Sequence, residues 1–196
     1  MIRLFDIVLA IVALIVLFPL LFVIAIWVKI DSRGGIFYIQ TRVGYKGRDF
    51  NLIKFRSMRV ASDKLGLLTI GERDPRITNS GYFIRKYKID ELPQLLNVLI
   101  GNMSFVGPRP EVRKYVQLYN FEQLKVLNLK PGITDEASIA FRNENEILSK
   151  SSNPELTYIQ EIMPVKIELN QRFIENPNLF NYLKIISKTI CRIIYD

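Results

Sequence analysis

Arg85-Lys-Tyr-Lys-Ile-Asp-Glu-Leu-Pro-Gln-Leu-Leu-Asn-Val-Leu99 sets an acidic pair, Asp90 and Glu91, directly behind the basic residues Arg85, Lys86 and Lys88. Pro93 follows, and an apolar run closes at Gly101. Asp is a favoured helix N-cap, proline is tolerated in the first helical turn, and glycine is the usual residue past the last turn. The stretch therefore predicts a helix of roughly ten residues capped by Asp90 and ended by Gly101. Such an N-terminus offers free N–H groups and partial positive charge, which suits phosphate. A carboxylate pair there could hold a hard cation or attack phosphorus. On this segment alone the simpler reading is that Asp90 only caps and Glu91 is solvated.

On the N-terminal side, Ile36–Arg42 and Phe50–Arg56 are β-prone runs around a turn carrying Gly44 and Gly47, which predicts a hairpin. A period of two puts Lys54 and Arg56 on one face, where they repel unless an anion faces them; a solvated strand face is the alternative. Residues 59–79 are polar and read as loop, with a turn at Asp74-Pro75-Arg76 and Thr78 or Ser80 capping a short helix. On the C-terminal side, Pro108 and Pro110 restrain the backbone on both sides of Arg109. A rigidly presented guanidinium suits bidentate phosphate binding; a proline-rich turn with an exposed Arg is the competing reading.

Residues 112–129 read as a helix ended by a Lys130-Pro-Gly-Ile-Thr134 turn, and Asn153-Pro154-Glu155 as the start of another that ends before Asn176-Pro177. From about Asn178 to Ile194, Lys184, Lys188 and Arg192 recur every four residues beside Leu183, Ile186, Ile190 and Ile193. That stripe suits a helix lying in a membrane interface, or a core helix with a solvated edge.

Charge is unevenly distributed. Ile7–Val28 is 22 residues without a charge, and the first 28 residues carry only Arg3 and Asp6. With those two set aside, 26 basic residues face 18 acidic ones over residues 29–196, so the whole +8 excess lies there. A greasy N-terminus on a basic body suggests a membrane-attached domain facing an anionic surface or substrate. The apolar run is too long for a signal-peptide core. As a straight helix its 22 residues would extend about 33 Å, enough to span a bilayer, but Pro19 interrupts the middle, so crossing and re-entrant topologies both stand. The chain has no histidine, which excludes Ser-His-Asp arrangements and most zinc or iron sites. Its one cysteine, Cys191, cannot close an internal disulfide. Catalysis then falls to carboxylates, Lys, Arg, Tyr or Ser/Thr, and any metal is expected to be oxygen-ligated, with Mg²⁺ first.

In order along residues 3–134, the chain carries Arg3-Leu-Phe-Asp6, Gln40–Gly47, Lys54-Phe-Arg-Ser-Met58, Arg76-Ile-Thr78, Ile84-Arg-Lys86, Ile89–Asn97, Gly101-Asn-Met-Ser104, Val106–Glu111 and Lys130–Thr134. This ordered set resembles the bacterial sugar transferase family, the monotopic phosphoglycosyl transferases that act on polyprenyl phosphate. The resemblance implies an α+β fold, mostly helical with a small β-hairpin, interfacial amphipathic helices and an N-terminal re-entrant membrane helix broken at Pro19. It divides the chain into a membrane-anchoring helix (1–30) and a catalytic domain (31–196) at the cytoplasmic face of the bacterial inner membrane. Relatives often place Ser before the proline, where this chain has Phe18. Larger relatives add a multi-span region, so this chain looks like the minimal catalytic unit. The segment Asp135–Glu144 departs from the Gly-Trp-Ala-Gln type common in the family.

The chemistry implied is attack by Asp90 on the sugar-bearing phosphate of a UDP-sugar, release of UMP, and transfer of the phosphosugar from Asp90 to polyprenyl (undecaprenyl) phosphate. Glu91 would serve as helper, Asp90 and Glu91 would hold Mg²⁺, Arg109 would bind phosphate, and Lys54, Arg56 and Arg85 would support it. Membrane lipid is an expected partner, a homodimer is compatible with the resemblance, and nucleic acid is not expected. Two rivals from other classes remain: a non-catalytic module that binds anionic lipid through its basic surface, and a direct glycosyltransferase releasing UDP.

Overall fold

The computed structural model describes residues 2–62, 66, 68, 69, 71 and 74–195, with the backbone alone described at 193–195. The chain begins with one long helix, α1 (Ile2–Asp31), followed by a hairpin of β1 (Phe37–Val43) and β2 (Asp49–Phe55). Their antiparallel register pairs Tyr38 with Lys54 and Val43 with Asp49. Then come α2 (Asn79–Lys86), a tight turn at Ile89–Glu91, α3 (Gln94–Ile100) and β3 (Ser104–Val106). Further along lie α4 (Arg113–Val116), a 3-10 stretch (Gln123–Asn128), β4 (Gly132–Thr134), α5 (Glu136–Ala140) and α6 (Glu144–Ser149). The chain closes with α7 (Pro154–Thr157), a π turn (Tyr158–Ile162), α8 (Met163–Glu175) and α9 (Leu179–Tyr195). The expected α+β, mainly helical architecture with a small hairpin is what is found.

α1 is long and apolar enough to cross a membrane. The expected break at Pro19 is not an interruption of the helix, which runs through it. Proline removes its own N–H and crowds the carbonyl one turn back, but the ladder on either side carries the helix onward. One side of α1 is packed against the body along its length. Ala10, Ala13, Leu14 and Leu17 meet Leu52, Leu95, Val98 and Met103; Leu21, Ile24 and Val28 meet Phe55 and Ile84. The other side exposes large apolar residues, among them Val8, Ile15, Phe18 and Phe22.

Polar bonds fix both ends of α1. At its start, Asp6 is 2% exposed and accepts from Ser104 Oγ at 3.1 and 3.0 Å, from the Phe105 N–H at 3.3 Å and from the Tyr182 hydroxyl. Arg3 donates to the carbonyls of Val98 and Leu99, the latter at 2.9 Å, so it caps the end of α3. At its far end, Arg56 donates to the carbonyls of Val28, Ser32 and Arg33 at 3.0, 2.7 and 2.7 Å. These are carbonyls a helix terminus leaves without partners. Gly34 is needed here, since its φ is 129° and a Cβ would lie 2.0 Å from Arg56 Nη1.

Three sequence expectations change. The helix over 112–129 is instead α4, a turn and the 3-10 stretch, because Asn120 and Gln123 bond each other's backbone N–H through their side chains and divert the chain. The Lys130–Thr134 turn contains β4, which runs parallel to β3. The two strands approach so closely that a Cβ on Gly132 would lie 2.1 Å from Gly107 N. The helix from Asn153 to Asn176 is present as α7, the π turn and α8, the widened turn standing just before Pro164, whose ring lacks a donor. Thr78 caps α2 as expected, accepting from the Gly81 N–H at 3.0 Å. Within the expected 59–79 loop, residues 63–65, 67, 70, 72 and 73 lie outside the described residues. In α9, Tyr182 and Ile185 face the core and Lys184 is exposed, whereas Lys188 pairs with Glu136 at 2.6 Å; the Ile193 side chain lies outside the described residues.

Candidate active site

Four pieces of chain meet at the acid pair: β2 brings Lys54, the Pro108–Pro110 turn brings Arg109, the last turn of α2 brings Arg85, and the segment between α2 and α3 brings Lys88, Asp90 and Glu91. Asp90 does not cap α3, as the sequence suggested. It sits in the 3-10 turn Ile89–Glu91, and α3 begins only at Gln94, with Pro93 at its cap position. The turn is entered through Lys88 in the left-handed region (φ 58°), which redirects the chain before the acids. Gly101 ends α3 at φ 98° as expected. Asn97 ties α3 to β2, accepting from the Ile53 N–H at 3.0 Å and donating to the Asn51 carbonyl at 2.7 Å. This bond sets Lys54 opposite Glu91.

The two acids then part company. Glu91 accepts from Lys54 Nζ at 3.0 Å and from both arms of the Arg109 guanidinium, one of them at 3.2 Å. Asp90 is 6% exposed and makes no side-chain hydrogen bond or ion pair among the described residues. Burial pushes the Asp90 carboxyl above its ordinary value and the charge of Glu91 adds to the rise, while Lys54, Arg85 and Lys88 pull against it. For Glu91, burial alone would raise the value, but Arg109 and Lys54 hold it well below the usual carboxylate range. Burial lowers Lys54, against the pull of Glu91. Glu91 pushes the Arg109 guanidinium further into its charged form. The result is an ionised clamp (Glu91, Arg109, Lys54) beside an unpartnered, more basic carboxylate.

Arg109 is presented as rigidly as its flanking prolines suggested. Its N–H donates to Asp135 at 2.7 Å, and Arg42 donates to the Pro110 carbonyl at 3.1 Å. Glu111 accepts from Tyr158 and lies 3.6 Å from Arg42. Asp135, Arg42, Glu111 and Tyr158 therefore hold the turn, and sequence reading passed over their roles. The signal was faint: Asp135 stands where the chain departs from the usual family segment, and only the fold brings Tyr158 across.

The predicted residues divide. Asp90, Glu91, Lys54 and Arg109 come together. Arg85 acts on Asp90 through its charge and donates to Thr69 Oγ1 at 3.0 Å. Arg56 does not join them: past the end of β2 its guanidinium turns to the carbonyls at the end of α1, so alternation along the strand did not carry it to the Lys54 cluster.

Among the described residues no three His, Cys, Asp or Glu side chains gather as a metal cage. The donor set nevertheless fits Mg²⁺, which is commonly held by one or two carboxylates with substrate phosphates and water completing the octahedron. Asp90 has open oxygens, whereas those of Glu91 are shared with Arg109 and Lys54.

The acid pair thus stands among the cations Lys54, Arg85, Lys88 and Arg109, in a body that packs against a helix long and apolar enough to cross a membrane. The chain belongs to the bacterial sugar transferase family, whose profile matches residues 1–196. It is 38% identical over 198 residues to the UDP-glucose:undecaprenyl-phosphate glucose-1-phosphate transferase of Xanthomonas campestris pv. campestris, covering 96% of this chain and 38% of that one. The protein of the same description from Escherichia coli (strain K12) is 41% identical over 164 residues, 80% of this chain and 35% of its own. The UDP-N-acetylgalactosamine-undecaprenyl-phosphate N-acetylgalactosaminephosphotransferase of Aeromonas hydrophila is 36% identical over 188 residues, 94% of this chain and 41% of its own. The chain thus spans less than half the length of each of these relatives.

Proposed function

We propose that the protein transfers a sugar 1-phosphate from a UDP-sugar to undecaprenyl phosphate, releasing UMP, at the cytoplasmic face of the bacterial inner membrane. The observation that carries this reading is the buried Asp90 carboxylate without a partner, beside a Glu91 clamped by Arg109 and Lys54. An Asp90 oxygen attacks the sugar-bearing phosphorus; the bond from phosphorus to the bridging oxygen breaks, and UMP departs with that oxygen. The sugar phosphate is then an acyl phosphate on Asp90. A phosphate oxygen of the carrier attacks the same phosphorus, the bond to Asp90 breaks, and the carboxylate is restored with the sugar on a diphosphate linkage.

A raised carboxyl value makes Asp90 the better nucleophile of the two acids while it remains ionised. Arg109, Lys54, Arg85 and Lys88 supply positive charge where the diphosphate sits and where negative charge collects on the leaving phosphate. Asp90 and Glu91 would hold Mg²⁺, which would neutralise phosphate oxygens there. The apolar face of α1 would lie in lipid while its other side stays on the body, an unbroken helix lodged in one face of the membrane rather than turning back at Pro19, and α9 would rest at the interface. That geometry brings the site to the depth of the carrier's phosphate. The relatives named above include a UDP-glucose and a UDP-N-acetylgalactosamine transferase, so the sugar is a matter for a donor panel.

The test is to incubate the purified protein with Mg²⁺, undecaprenyl phosphate and a set of UDP-sugars, and to identify the nucleotide released. UMP release, with a labelled sugar phosphate trapped on the protein before carrier is added, is the expected result. Release of UDP would establish direct glycosyl transfer instead.

A further inference from the structure

The β1–β2 hairpin has two edges, and they are treated differently. Its ladder is fixed at both ends: the Arg56 N–H donates to the Ile36 carbonyl at 2.9 Å, and the Gly44 N–H to the Arg48 carbonyl at 2.8 Å. Bonded and unbonded pairs alternate along an antiparallel ladder. Tyr38, Gln40 and Arg42 therefore bond toward β2, while the N–H and C=O groups of Phe37, Ile39, Thr41 and Val43 point away from it. On β2 the outward groups are taken by α3, since Asn97 bonds the Ile53 N–H at 3.0 Å and the Asn51 carbonyl at 2.7 Å. On β1 only Val43 is served, donating to the Glu111 carbonyl at 2.8 Å. The outward N–H and C=O groups of Phe37, Ile39 and Thr41 have no partner among the described residues.

Proteins guard an open edge with lysine, proline or a bulge. β1 reads Phe-Tyr-Ile-Gln-Thr-Arg-Val in unbroken register with β2, and has none of these guards. Phe37 is 48% and Ile39 60% exposed, with Thr41 exposed beside them. The strand's one charge, Arg42, is taken up by Gln40 Oε1 and the Pro110 carbonyl. Lipid suits the two apolar side chains but not the backbone, because an open sheet edge in hydrocarbon leaves its N–H and C=O groups unsatisfied. Another strand satisfies both.

We propose that this edge is a homodimer interface, in which the β1 strands of two copies pair antiparallel about a two-fold axis at Ile39 and join the hairpins into one four-stranded sheet. The open groups set the register. Centring the axis on Ile39 places that residue opposite its own counterpart and Phe37 opposite Thr41, so every outward N–H and C=O of the three gains a partner. The side chains agree with it. Isoleucine meets isoleucine, Phe37 meets Thr41, Tyr38 meets Gln40 and Arg42 falls across from Ile36, so no charge along the strand meets its own kind. Such self-complementarity is what a two-fold interface requires, and an unrelated strand would match it only by chance. Lys54 stays with Glu91 on β2, the outer strand of each copy, so the interface leaves the acid pair clear and stands apart from the transfer reading.

The experiment uses the full chain in detergent, as wild type, Ile39→Lys and Ile39→Pro, with mass measured by light scattering over a concentration series and folding checked by circular dichroism. Ile39→Lys sets two ammonium groups opposite each other, and Ile39→Pro removes an N–H that the hairpin itself does not use. The expected result is a dimeric wild type whose association is weakened about 30-fold or more in each variant, the worth of two hydrogen bonds. In a Cys191→Ser background, Ile39→Cys should be joined by a short bis-thiol reagent, because paired Cα atoms stand about 5.5 Å apart. Asn51→Cys, on the outer strand, should not be joined. A wild type that stays monomeric, a dimer that survives both substitutions at Ile39, or equal cross-linking at the two positions overturns the interface. Should both substitutions unfold the chain, cross-linking decides alone, and an Ile39→Cys protein that is not joined overturns it. If that thiol is not joined and is also shielded from a water-soluble maleimide in vesicles, the face belongs to lipid and the interface falls.

Discussion

Two buried aspartates of this molecule, Asp6 and Asp90, are handled in contrary ways. Asp6, at the start of α1, has Ser104, the Phe105 amide and Tyr182 as donors. Asp90, in the turn before α3, is nearly as buried and has no such partner among the described residues. A carboxylate whose lone pairs are all engaged is fixed in place and adds cohesion; one that is buried and open stores unfavourable free energy that a ligand or a reaction can release. The first joins three segments distant in sequence, and the second is the carboxylate we propose attacks phosphorus.

The largest expected break in that comparison is Asp90→Asn. Transfer should fall by about 10³-fold or more, in line with removal of other covalent nucleophiles. The melting temperature should hold or rise, because the variant removes a charge whose folded form is disfavoured. The sign is explicit: with the folded-state value raised above 3.8, the native protein binds the proton more readily, so stability declines as pH rises from 3.8 through the folded value and the deficit persists at neutral pH. Undiminished turnover in Asp90→Asn would sink the nucleophile assignment.

Asp6→Ala should invert the pattern. Orphaning the Tyr182 and Ser104 hydroxyls and the Phe105 amide should cost about 3–5 kcal/mol of stability, read by chemical denaturation in detergent. Turnover per folded molecule should remain. Selective loss of turnover in a fully folded Asp6→Ala protein would count against a purely structural Asp6.

Arg56→Lys comes next, at about 1–3 kcal/mol, because an ammonium cannot reach three carbonyls as the guanidinium does. The affinity for UMP should stay at the wild-type level, whereas a phosphate-binding Arg56 would lose it. The smallest effect is in pH. The acid limb of kcat/KM should stand above 3.8, since Asp90 must be ionised to attack and burial raises its value. In Glu91→Gln that limb should move down as a neighbouring negative charge is lost. A limb that stays put would mean that Glu91 does not act on Asp90.

Much of this was legible in the chain itself. Alternation and paired glycines gave the hairpin to within a residue, Gly101 gave the end of α3, and the Asn153-Pro154 pair gave the start of α7, since each depends on bonds made within a few residues. Sequence patterns missed what depends on distant partners. Strands β3 and β4 have three residues each and no periodicity to detect; they exist because Gly107 and Gly132 let two backbones touch. Arg56 was placed with Lys54 by strand alternation, but the carbonyls at the end of α1 claim it. Asp90 looked like a cap because Pro93 follows it, and Lys88 in the left-handed region turns that segment into a tighter loop. The acid pair was recognisable from residue type and from family resemblance; the unequal treatment of its two members was not, for it is decided by Lys54 and Arg109 arriving from elsewhere.

The packing of α1 has a practical corollary for anyone preparing this protein. A fragment trimmed to begin after Asp31 would not be a freed catalytic domain, because Phe55, Ile84, Leu95, Val98 and Met103, each 3% exposed or less, would lose the wall that covers them. Arg56 would also be left holding no helix, and Ser104 and Tyr182 no acid. The greasy segment is masonry for the body, whatever else it holds, and purification has to carry it along.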